Sequence, residues 1–145
     1  MAAFEPFEPK TVRAAYDKVA EDYAAAFAGD LDRLPVDRAV LDAAAERLTG
    51  EGPVLDVGCG RAQIGESLAD RGVPVIGVDL APRMLVVARR RTPNLRLACA
   101  DMRSLPIRSR SCSGAVAFYS IQHLPRAAFV SYWASCAVSS GRAGS

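Results

Sequence analysis

The chain has 145 residues, 50% of them hydrophobic and 23% charged, with a net charge of +2. This length favours a single domain that buries about 68–70% of its unfolded surface, and the small net charge gives no compositional case for nucleic acid or membrane as a partner. No apolar stretch nears the ~18 residues that suggest a membrane span, and the opening "MAAFEPFEPK" has acids and prolines where a signal peptide needs a basic patch and an apolar run.

"TVRAAYDKVAEDYAAAF" places Val12, Tyr16, Val19, Tyr23 and Phe27 on one face of a helix. A second helix follows, with Asp37 as its expected cap and Val40, Leu41, Ala44, Ala45 and Leu48 as its apolar stripe, ending at Gly50. "PVLDVG" is a short apolar run stopped by glycine and suits a buried strand. Residues 62–70 read as a helix through Ile64 and Leu68, stopped near Gly72. "VPVIGVD" is another buried strand. Pro82 opens a further helix, and Arg89, Arg90 and Arg91 sit at its end, where the helix dipole favours cations. "NLRLACAD" and "GAVAFYS" are two more strands. Strands alternating with helices imply an α/β fold with a parallel sheet covered on both faces.

The turn in "VLDVGCGRAQIG" joins strand to helix through Gly58 and Gly60, which let backbone approach a ligand beside the free N–H groups of the next helix. A tight turn with no ligand is the plain alternative, since a glycine pair alone is a weak signal. Asp79 ends the following strand, 21 positions after Gly58, where a carboxylate can accept from ribose hydroxyls. Asp101, followed by Met102, ends the next. Asp56, Asp79 and Asp101 thus line the carboxyl edge of one sheet, where open α/β folds bind ligands; each alone reads equally well as a turn cap.

The dinucleotide fingerprint fails at Gln63, and Asp56 would repel a pyrophosphate. A carboxylate there suits a ligand carrying an ammonium and a sulfonium. S-adenosylmethionine has both, together with a ribose and an adenine. The chain resembles the class I S-adenosylmethionine-dependent methyltransferases, especially a small bacterial group, through "VLDVGCGRAQIG", "VIGVDLAPRML", "ACADMRSLPI" and "AFYSIQHL" in the expected order, with "YDKVAEDYAAAF" similar to that group's N-terminal helix. The resemblance covers residues 11 to about 129.

It implies a Rossmann-like, doubly wound parallel sheet, here truncated after its fourth strand, with two N-terminal helices. It implies that Asp56, Gly58, Cys59 and Gly60 form the floor under the methionine part of the cofactor. Asp79 would hold the ribose, with Leu80 against the adenine. Asp101 would accept from the adenine amino group, with Met102 on the ring. Phe118 and Tyr119 would lie beside the transferred methyl, and Tyr16 and Tyr23 would close the pocket. The family often has a third glycine where this chain has Ala62.

The implied activity is methyl transfer to a small-molecule acceptor that the sequence does not identify, in a chain whose own turnover stays open. A non-catalytic nucleotide-binding fragment and, less favoured, an NAD-dependent oxidoreductase are the alternatives. No catalytic residue is assigned. His123, the only histidine, has a side chain that titrates near neutrality, but its preferred reading is a helix cap or pocket wall.

The arginines at 89–91, 96, 103, 108 and 110 read as a solvated face and not an RNA patch. Cys59, Cys99, Cys112 and Cys136 form no CxxC pair, so free thiols in a reducing cytoplasm and no metal site are expected. An open edge on the fourth strand predicts self-association.

From residue 130 the pattern stops. Back-translated with codons ending in G or C and read one base out of frame, this segment gives "RELLGELRRVLRPGGL", which resembles the helix and turn that precede the family's fifth strand. The expectation is a frame change near residue 129, leaving 130–145 a poorly ordered tail with Trp133 exposed.

Overall fold

The computed structural model describes residues 8–108 and 111–120. His123, Trp133 and the segment 130–145 lie outside the described residues, as do the expectations that fall on them. Three helices open the chain: α1 (Pro9–Ala26), the short α2 (Asp30–Arg33) and α3 (Pro35–Leu48). Then come β1 (Val54–Val57), α4 (Gln63–Asp70), β2 (Val75–Asp79), α5 (Pro82–Arg91), β3 (Arg96–Cys99) and β4 (Gly114–Val116). The strands are parallel and lie in the order β3-β2-β1-β4.

Period-two alternation along β1 assigns its residues to opposite faces. Val54 joins Leu41 and Ala45 of α3, Leu68 of α4 and Ala88 of α5 in one core. Leu55 and Val57 join Val78 in another, covered by Met102, Leu105, Ile107 and Cys112. Among the described residues, helices cover one face of the sheet and Met102, Leu105, Ile107 and Cys112 pack on the other, in the parallel Rossmann-like arrangement that the sequence predicted. A third cluster seats α1 on α5 through Ala20, Ala81 and Met84, flanked by Tyr16, Tyr23 and Val87.

Several local expectations change. Val19 and Val40, both placed on apolar stripes, are exposed, while Ala20 is the residue that α1 buries. Ala20 is small enough for α1 to lie close on α5. Asp37 does not cap α3: Leu34 occupies the N-cap with no side-chain cap bond, and Asp37 stands in the first turn. Pro35 fixes that start by supplying a backbone already set for a first helical position. Asp101 lies two residues beyond the end of β3.

Ala62 is the N-cap of α4 and adopts φ 66°, a left-handed conformation, with its side chain fully buried. The glycine the family often carries here is the residue this φ favours. Glycine would relieve about 1 kcal/mol of backbone strain and lose about 0.8 kcal/mol of methyl burial. Ala62→Gly is therefore expected to leave stability within about 1 kcal/mol of the parent in urea unfolding. A shift beyond about 2 kcal/mol in either direction would show that one of these terms is misjudged.

Candidate functional site

The C-terminal ends of β1 and β2, the turn after β1, the exit of β4 and helices α1 to α3 enclose a cavity of about 400 Å³. Every cofactor residue expected from the sequence lines it: Tyr16, Tyr23, Asp56, Gly58, Cys59, Gly60, Asp79, Leu80, Asp101, Met102 and Phe118, together with Tyr119.

Asp56 is the third residue of β1 and only 2% exposed. Its Oδ2 accepts the Gly65 N–H of α4 at 3.0 Å. Burial pushes its pKa up to about 7; the Gly65 hydrogen bond opposes the rise and Asp79 adds to it. Asp79, the last residue of β2, accepts the Gly60 N–H at 2.8 Å through Oδ2 and the Ala81 N–H at 2.9 Å through Oδ1. It thus ties the glycine turn to the start of α5. Burial raises its pKa too, while those N–H donors oppose the rise. Each carboxylate oxygen has two lone pairs, so both retain a position for a ligand donor.

Asp101 is more committed. Arg103 clamps it with Nε at 3.0 Å from Oδ1 and Nη2 at 2.6 Å from Oδ2, and the Arg103 N–H adds a bond at 2.9 Å. An adenine amino group would share this carboxylate with a guanidinium.

Gly58, at φ 70°, is the glycine whose environment is tightest. A Cβ here would lie 2.3 Å from Ser120 Cβ. Ser120 is buried and donates from Oγ to the Val57 carbonyl at 2.7 Å. The β4 exit thus rests directly on the glycine turn. Gly58 is required by the chain's own packing, and it also lines the cavity. Cys59 is buried, with its thiol pKa pushed up by burial and by Asp56 and Asp79. Its sulfur seats against Gly77 of β2, where a Cβ would come within 3.0 Å. It is a packing residue in the cavity floor.

Arg61 is the largest omission from the sequence reading. It lines the cavity and is only 5% exposed. Its Nη2 donates to the Phe27 carbonyl at 2.6 Å and also to Gln63 Oε1. Phe27 is the C-cap of α1, so a cation meets the carbonyl end of that helix. Burial, and then Arg91, lower the pKa of Arg61. Its place after the glycine pair offered a signal, but its partner is 34 positions away. The sequence places Tyr119 but not its partner. It adopts φ 54° and donates its hydroxyl to Asp37 Oδ2 at 2.9 Å, joining the β4 exit to α3.

A glycine turn over strand-end acids, in a parallel sheet ordered 3-2-1-4, is the frame for comparison. A family model described as "Methyltransferase domain" matches residues 54–140. The chain belongs to this methyltransferase-domain family.

The match begins with β1 and runs past residue 129. This methyltransferase domain is 41% identical over 54 residues to a ubiquinone biosynthesis O-methyltransferase of Acinetobacter baylyi, covering 37% of the chain and 23% of that protein. It is 39% identical over 71 residues to a dTDP-3-amino-3,6-dideoxy-alpha-D-glucopyranose N,N-dimethyltransferase of Streptomyces fradiae, covering 49% of the chain and 28% of the relative. Among solved structures it is similar to an amino pentose methyltransferase of Micromonospora echinaspora, determined with S-adenosylmethionine bound. The TM-score is 0.62 at 30% identity, over 80% of this chain and 50% of that one. The matches thus span about a quarter of these two curated relatives and half of this solved one. In the methyltransferase domain, no helix among the described residues is long and apolar enough to cross a membrane.

Proposed function

We propose that this chain binds S-adenosylmethionine and supports methyl transfer to a small-molecule acceptor. The carrying observation is the ionisable pair of buried Asp56 and half-buried Asp79, electrostatically coupled under a glycine turn at the wall of a cavity of about 400 Å³. Two carboxyl groups pushed toward the neutral form by burial gain from a cationic ligand, which favours their ionisation, whereas a pyrophosphate would oppose it. This favours S-adenosylmethionine over NAD. Similarity to a ubiquinone biosynthesis O-methyltransferase and to a dTDP-amino-sugar N,N-dimethyltransferase supports the reading.

When bound, S-adenosylmethionine supplies an electrophilic methyl: the acceptor–carbon bond forms as the carbon–sulfur bond breaks, with that electron pair staying on sulfur. The chain's part is alignment of the two reactants. Asp56 would face the methionine ammonium and Asp79 the ribose hydroxyls. Leu80, Met84 and Met102 supply apolar walls for the adenine, and Tyr16 and Tyr23, held edge to face at 5.8 Å, roof the cavity.

Calorimetric titration tests this. S-adenosylmethionine should bind and NAD should bind far more weakly. Asp79→Ala should weaken S-adenosylmethionine by roughly 1–3 kcal/mol through lost charge-assisted hydrogen bonds. It should also lower stability, because the Gly60 and Ala81 N–H groups lose their acceptor. NAD binding as tight as S-adenosylmethionine defeats the assignment.

A further inference from the structure

We propose that the acceptor is a small amine with an apolar body, and that Tyr119 and Asp37 receive its nitrogen and take its proton. The inference rests on the methyltransferase reading above and deepens it.

The cavity extends beyond the carboxylate floor to the mouth formed by α2, α3 and the β4 exit. Phe27, Leu34 and Tyr119 are large side chains left exposed there. An apolar body would cover them. The charges of this mouth are unequal. Among the guanidiniums that line the cavity, Arg103 is clamped on Asp101, Arg13 lies 3.8 Å from Asp17, and Arg61, hydrogen-bonded to the Phe27 carbonyl, is offset by Asp30. The carboxylate of Asp37 lines the same cavity and makes no ion pair among the described residues. The mouth therefore attracts a cation, and an amine at neutral pH is one.

An ammonium cannot attack carbon until it sheds a proton. The Tyr119 hydroxyl donates to Asp37, and this bond holds the phenol above its usual pKa, so the phenol stays protonated and its oxygen keeps lone pairs for an N–H donor. The ammonium passes one proton to Tyr119 oxygen as the phenolic proton moves to Asp37, and Asp37 releases it to water. The freed lone pair then forms the nitrogen–carbon bond, the carbon–sulfur pair stays on sulfur, and the methylated ammonium carries the positive charge away. Ser120 fixes this pair in place, because its contact with Gly58 pins the residue after Tyr119 onto the glycine turn.

The test uses the full chain with benzylamine and benzyl alcohol, which share size and apolar body. By calorimetry or ligand-observed NMR, without cofactor, the amine should bind about tenfold tighter than the alcohol, and Asp37→Asn should erase that preference while leaving the alcohol unchanged. With S-adenosylmethionine added, mass spectrometry should find N-methylbenzylamine. Tyr119→Phe should then slow its formation by about 10²-fold with amine binding kept within about twofold. Urea midpoints of both variants should lie close to the parent, since each change touches a single exposed hydrogen bond. Equal binding of amine and alcohol, undiminished amine binding in Asp37→Asn, or parent-like transfer in Tyr119→Phe each overturns the proposal. Bound amine and bound cofactor with no methylated product overturns it as well. Failure of S-adenosylmethionine to bind strikes the methyltransferase reading instead, and leaves the cofactor-free amine arm to judge the site.

Discussion

Gly58→Ala is expected to destabilise the chain by about 3 kcal/mol, the sum of a left-handed alanine and an overpacked contact. At this chain length that corresponds to a melting temperature roughly 10 °C lower. The new methyl would stand 2.3 Å from Ser120 Cβ and 2.9 Å from its Oγ. Ser120 Cβ is fixed to the backbone, so no rotamer change relieves the clash; the β4 exit must lift from the turn. Adding Ser120→Gly to Gly58→Ala should recover the steric part and leave only the cost of φ 70°. If the double variant melts no higher than the single one, Ser120 is not the cause. The single variant should also lose S-adenosylmethionine, because the lifted segment carries Phe118 and Tyr119 with it.

Asp56→Asn should do the reverse to stability. The folded pKa of Asp56 is raised from 3.8 to about 7. Between those values the folded chain holds a proton that the unfolded chain has released. Stability from this group is therefore full at low pH and is lost as pH rises to about 7. At roughly 1.4 kcal/mol per pH unit the loss is a few kcal/mol at most. Asparagine keeps an oxygen for the Gly65 N–H without the charge. The variant should be more stable than the parent at pH ~8, by about 1–3 kcal/mol more than at pH ~5, and the two should converge only below pH ~4. Its affinity for S-adenosylmethionine should fall all the same, because the ammonium loses its counter-charge. Urea unfolding at the two pH values reads the first effect and calorimetry the second. A parent chain that gains stability between pH ~5 and ~8 would reverse the sign and refute an uncharged Asp56 in the free protein.

The features legible in the sequence were those with a period or a strand-end position. The short apolar runs in "PVLDVG" and "VPVIGVD" located β1 and β2, and the acids that end or interrupt them line the cavity. The α1 stripe named the aromatic face but not Ala20, because period alone does not say which residue is small enough to let two helices touch. Contacts across loops were not legible. Arg61 finds the carbonyl of Phe27, Tyr119 finds Asp37 from 82 positions away, and Ser120 fills the space over Gly58. Each is a tertiary coincidence of a single side chain with a turn, with no repeat to betray it. The clamp of Asp101 by Arg103 is local, yet the sequence does not say whether an arginine two residues on turns toward solvent or back.

The attachment of α1 has a thermodynamic side. This helix meets the body of the domain through Ala20 against Ala81 and Met84, flanked by Tyr16, Tyr23 and Val87, through the surface ties of Asp17 to the Arg83 N–H and Glu21 to Arg90, and through the buried Arg61 on the Phe27 carbonyl. Ala20 is the one residue of α1 that is fully buried. Detachment of α1 is therefore expected to be a sub-global opening cheaper than unfolding, which hydrogen exchange would read as faster-exchanging amides in α1 than in β1. Tyr16 and Tyr23 travel with that unit. Ligand entry and exit can thus proceed at the cost of peeling one helix, with the carboxylate floor left intact beneath.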